Sequence, residues 1–78
     1  MSCHFVINFA KGNHIPFDKI RQVFSREVQT GVLKVDTGTG GNAFFRYQNP
    51  MAVIPEEDSR KIRELGGEVI SGPFPRNG

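Results

Sequence analysis

Cys3 and His4 stand side by side near the start of the chain, two residue types that ligate zinc. A structural zinc site takes four such ligands, usually as two spaced pairs, and no second pair follows at usable spacing, so no metal site is expected. Cys3 with His14 has the makings of a nucleophile and a base, but no third group is evident to orient the base. Glu56, Glu57 and Asp58 have the composition of a catalytic acid cluster. They follow Pro55 at a helix start, however, where carboxylates complement the positive end of the helix dipole. TGTGGN carries the glycines of a phosphate-cradling loop, yet such loops lead into a helix and this one leads into a strand. Neither catalysis nor a cofactor is expected. What remains is GNAFFRY at residues 41–47, in which adjacent aromatics are interleaved with a cation. Rings and cations in that pattern suit flat, anionic ligands, but adjacent rings also suit a small core.

The elements that hold these residues follow from periodicity and turn chemistry. SCHFVINFA is apolar and β-prone and AKGNH ends it, which predicts a first strand over residues 3–9. Pro16 suits a first helical turn, and Phe17, Ile20, Phe24 and Val28 recur at the spacing of one amphipathic helix, with Lys19, Arg21, Gln22 and Arg26 on its solvated face. TGVLKVDT is a second strand, GTGGN a flexible hairpin connection, and AFFRYQ a third strand stopped by Asn49 and Pro50. A second helix opens at Pro55 and runs through Arg60, Lys61 and Arg63. Gly66 and Gly67 supply its left-handed exit, and EVISG is a last strand before a short flexible tail at residues 73–78. The order β-α-β-β-α-β predicts an α+β, ferredoxin-like fold: a four-stranded antiparallel sheet with two helices on one face and the other face open to a ligand.

Composition bounds the partners. Seventy-eight residues make one domain, residues 1–78, with a single thin core carried by seven Phe. A chain this short buries only ~60% of its unfolded surface. A net charge of +2 permits a polyanionic partner without announcing one. The single cysteine argues against a disulfide scaffold, and no apolar run approaches the ~20 residues of a membrane span. The expectation is an intracellular protein, cytoplasmic or nuclear, with no membrane partner.

HFVINF at residues 4–9 and GGNAFFRY at residues 40–47 resemble the two short signatures of the RNA recognition motif, on its first and third strands. Phe5, Val6, Asn8 and Phe9 stand in matching places of the first; Gly41, Ala43, Phe44 and Tyr47 match the second, with Phe45 in its aliphatic slot. FDKIRQVFS also looks like the family's first helix, so the resemblance covers nearly the whole chain. Three positions depart from it: Gly40 replaces a basic residue, Asn42 an aromatic and His4 an aliphatic, which removes one of three stacking platforms. The resemblance implies binding of a short single-stranded nucleic acid, RNA rather than DNA, on the open sheet face. Phe5 and Phe44 would stack on bases at roughly 1 to 3 kcal/mol each, Ile7 would stand beside them in the same binding surface, Asn42, Arg46 and Lys34 would make polar contacts, and Lys11 and Arg76 would meet phosphates at the periphery. A second, local similarity links IPEEDSRKIRELGGEVIS to the small linker domain of phycobilisomes and covers less than a third of the chain.

Alternation along the first strand points the other way. It groups Cys3, Phe5, Ile7 and Phe9 on the more apolar face, opposite His4, Val6 and Asn8, which makes Phe5 a core residue. On the third strand it groups Ala43, Phe45 and Tyr47 against Asn42, Phe44 and Arg46. If Phe5, Ile7 and Phe44 were instead exposed together, they would form an apolar patch for a protein partner or a second copy. The alternative to nucleic-acid binding is therefore a protein-interaction module, or a small regulatory or inhibitor protein of the same fold.

Overall fold

The computed structural model describes residues 2–9 and 15–76, less the side chain of Arg76. The elements are β1 (Ser2–Asn8), α1 (Phe17–Val23), α2 (Ser25–Thr30), β2 (Leu33–Thr37), β3 (Asn42–Tyr47), α3 (Glu56–Glu64) and β4 (Glu68–Arg76). The fold is α+β: one antiparallel sheet in the order β2-β3-β1-β4, with three helices. No helix among the described residues is long and apolar enough to cross a membrane.

Alternation decides which side of the sheet becomes the core. Cys3, Phe5 and Ile7 of β1 are buried, and across the ladder they face Tyr47, Phe45 and Ala43 of β3, buried as well. Leu33 of β2 extends this layer, and Ile20, Phe24 and Ile62 from the helical segments close over it. Phe5 meets Tyr47 edge to face at 5.8 Å and Phe24 meets Phe45 in the same way at 5.7 Å. Each such pair adds about 0.5 to 1.5 kcal/mol beyond the burial of its area.

Two expectations are corrected. The single first helix is two short ones, because Phe24 leaves helical geometry at φ −109°, ψ 30°. Its amide still bonds to Ile20 O at 2.9 Å and its carbonyl accepts from Val28 N at 3.0 Å, so the chain bends without breaking while the Phe24 ring enters the core. The flexible tail expected from residue 73 is instead the continuation of β4 to Arg76, where Phe74, Pro75 and Arg76 pair with His4, Cys3 and Ser2. Pro73 and Pro75 lack an N–H, which an edge strand tolerates because one side of its backbone has no partner.

The two glycines after α3 do different jobs. Gly66 sits at φ +88°, the left-handed exit, and donates to Arg63 O at 3.0 Å. Gly67 makes room: a Cβ there would stand 2.5 Å from Phe9 Cε1 and 2.9 Å from Ile62 Cγ2. α3 is thereby pressed onto the end of the core.

Candidate functional site

The sheet face away from the core is assembled from the alternate residues of the four strands. Side chains opposite one another in register share a face, which gives two rows across the sheet. One row runs Lys34, Arg46, His4, Phe74 and the next runs Asp36, Phe44, Val6, Ser71. Beyond them lie Asn42 and Asn8, paired with Glu68.

Of the residues singled out in the sequence, Lys34, Asn42, Phe44 and Arg46 are on this face, Lys34 exposed and the other three half-buried. Phe5 and Ile7 are not. They are 2% and 0% exposed on the helix side, so neither can stack on a ligand at the open face, and the patch of Phe5, Ile7 and Phe44 does not exist. The reason is the two-residue period: a strand that turns His4, Val6 and Asn8 outward must turn Phe5 and Ile7 inward. Lys11 lies outside the described residues, as does the side chain of Arg76.

His4 and Phe74 take the place that Phe5 was expected to fill. The His4 ring stacks on Phe74 at 5.0 Å and meets Phe44 edge-on at 5.9 Å, which makes a contiguous group of three rings. Phe74 is 42% exposed, a large amount for its size. Phe44 is held from the hairpin side, where a Cβ on Gly38 would come within 2.8 Å of its Cε2. Gly40 and Gly41, both at positive φ, turn the TGTGGN segment back into β3 as a hairpin. Asn8 Nδ2 donates to Asn42 Oδ1 at 2.6 Å and to Gly40 O at 3.4 Å, which ties β1 to the hairpin end of β3.

Charge on the face is balanced. Arg46 lies 3.6 Å from Asp36, a partly exposed pair worth about 0 to 1 kcal/mol, while Lys34 and Glu68 stand on the two opposite edge strands. Lys34 has no carboxylate within ion-pair distance among the described residues.

The acidic residues at the start of α3 divide by role. Glu56 and Glu57 are exposed in its first turn, whereas Asp58 is buried and accepts a hydrogen bond from Tyr47 Oη at 2.9 Å. Burial pushes the Asp58 carboxyl above its ordinary range, and the Tyr47 bond only partly offsets this. Burial, then the Asp58 charge, pushes the Tyr47 hydroxyl far above its ordinary value of 10.0. Native Asp58 thus holds its proton more tightly than the unfolded chain does. Its contribution is full below the unfolded pKa of about 3.9 and is lost as pH rises through the folded value. Asp58→Asn keeps an acceptor for Tyr47 and removes the charge. Urea unfolding should show the variant gaining on the parent between pH 3.5 and pH 7, and a constant difference over that range contradicts the assignment. Tyr47 acts at the other end: above about pH 10 the unfolded chain ionises and the native one does not, so stability falls.

Among the described residues no three His, Cys, Asp or Glu side chains gather as metal ligands. Cys3 is buried with its Sγ 3.6 Å from Asn49 O, and His14 lies outside the described residues. No protein-family model, curated protein sequence or solved structure matches this chain.

Proposed function

We propose that the open face binds single-stranded nucleic acid, RNA in preference to DNA, in a ferredoxin-like domain akin to the RNA recognition motif and without catalysis. The split βαβ arrangement needs the first and third strands side by side in the middle, with the second and fourth at opposite edges, and the order β2-β3-β1-β4 fits it. The observation that carries the functional reading is the group of three rings, His4, Phe44 and Phe74, on the same sheet face as Arg46 and Lys34. Phe44 and Phe74 supply stacking planes, His4 ties them together, and Arg46 and Lys34 reach phosphates.

Fluorescence anisotropy with short labelled RNA and DNA pools tests this. Phe44→Ala and Phe74→Ala should each weaken binding about 5- to 150-fold, the equivalent of one base-stacking contact, while the fold is retained. With two cations on the face, log affinity should fall with log salt at a slope of about 1.4. A protein whose folded wild-type form binds neither pool at low salt is not a nucleic-acid module. The balance of Lys34 and Arg46 by Asp36 and Glu68 favours a protein partner as the second reading, and that result would select it.

A further inference from the structure

The two edges of the sheet differ. β4 carries Pro73, Pro75 and two register irregularities against β1, devices that blunt an edge against further pairing. β2 has none of these: LKVDT pairs regularly with β3 over all five residues, and no described element pairs with its other side.

Backbone directions at this edge follow from two bonds. Val32 O accepts from Gln48 N at 2.8 Å and Gly38 N donates to Asn42 O at 2.8 Å, so the even-numbered residues aim their N–H and C=O at β3. By alternation Leu33, Val35 and Thr37 aim theirs at the open edge. Side chains alternate in the other sense: Lys34 and Asp36 are exposed on the open face, while Leu33 and Val35 lie toward the helices. Beneath the edge runs a cleft of about 370 Å³ lined in part by Phe17, Ile20, Val28 and Val35.

We propose that β2 pairs antiparallel with β2 of a second copy of this chain, about a two-fold axis at Val35. In that register Leu33, Val35 and Thr37 of each copy bond to Thr37, Val35 and Leu33 of the other, so every outward N–H and C=O of the strand is satisfied. Lys34 then stands directly opposite Asp36 of the second copy, and Asp36 opposite Lys34, on the same face. Sliding by two residues either way sets Lys34 against Lys34 or Asp36 against Asp36, and sliding by one sets outward backbone groups against inward ones. The charges of LKVDT are thus self-complementary in one register alone. On the helix side the pairing brings Val35 against Val35 and joins the two clefts. The axis is perpendicular to the sheet, so both ring-bearing faces point the same way on one continuous eight-stranded sheet.

Sedimentation equilibrium without nucleic acid, over a concentration series, tests this. The wild type should show a monomer–dimer equilibrium. Lys34→Glu should raise the dimer Kd about tenfold or more, since two symmetry-related attractions become repulsions, and so should Asp36→Lys. The double swap Lys34→Glu with Asp36→Lys should restore the Kd to within about threefold of wild type. Asp36→Lys also breaks the Arg46 pair, but that loss is common to the single and double variants, so recovery isolates the contact between copies. Amide exchange at Leu33, Val35 and Thr37 should slow with protein concentration. A chain that stays monomeric to its solubility limit, a dimer indifferent to Lys34→Glu, or a double swap no better than the singles overturns the proposal.

Discussion

Phe5→Ala is expected to cost ~3 to 5 kcal/mol of folding free energy, against about 1 to 1.5 kcal/mol for Phe44→Ala. Phe5 is 2% exposed, central in β1, packed edge-on against Tyr47 and lying against Gly72, where a Cβ would approach its Cδ1 to 2.7 Å. The strands on both sides of it are tied to β1 by ladder bonds, which keeps them from closing into the space, so the cavity term adds to the lost transfer energy. Phe44 is half-buried, and its removal opens a face that water already reaches. A chain of this length has a total stability on the order of 4 to 12 kcal/mol. Phe5→Ala should therefore bring the domain close to its unfolding threshold, with a melting temperature lowered by more than about 10 °C, whereas Phe44→Ala should melt within about 10 °C of wild type. Urea unfolding of the two variants side by side measures the difference. Equal losses, or the reverse order, would mean that the two faces of the sheet have been exchanged.

That assignment is legible in SCHFVINF taken alone. Strict alternation put Cys3, Phe5, Ile7 and Phe9 on the apolar side, and these are the residues the fold buries. Resemblance to the RNA recognition motif argued for the opposite phase at Phe5, and there the local period was the better guide. Its physical cause, burial of one face, acts on this chain directly. GNAFFRY resolves in the same manner: Ala43, Phe45 and Tyr47 enter the core while Phe44 and Arg46 face out. The bend at Phe24 left no trace in the sequence, since the three- and four-residue spacing and the hydrogen bonds both continue through it. Phe74 was hidden by its flanking prolines, which mark a stop in a central strand but are admissible at an edge. His4 reads as a departure from an aliphatic pattern, although its outward phase follows from the inward phase of Phe5.

One position along β1 decides between an unfolded chain and a folded one with an added cation on its open face. Ile7→Lys places an ammonium at a site with no exposure, between Ala43 and Val69, and the buried carboxylate among the described residues, Asp58, is already engaged by Tyr47. An unpaired buried charge costs several kcal/mol even after relaxation, comparable with the whole stability of the domain. The variant should show no cooperative unfolding transition by circular dichroism at neutral pH. Val6→Lys, one residue earlier, falls on the open face opposite Phe44 and Ser71, where the lysine stem can lie along the ring and its charge can reach water. This variant should fold and unfold cooperatively, with stability within about 1 kcal/mol of wild type. It also adds a third cation beside the rings. If the face takes single-stranded nucleic acid, affinity at low salt should rise and the salt slope should steepen by about 0.7, the increment for one more neutralised phosphate. A folded Val6→Lys protein that binds oligonucleotides no better than wild type, with an unchanged slope, would mean that phosphates do not pass over the centre of this face, and the rings would then be anchors for a protein surface.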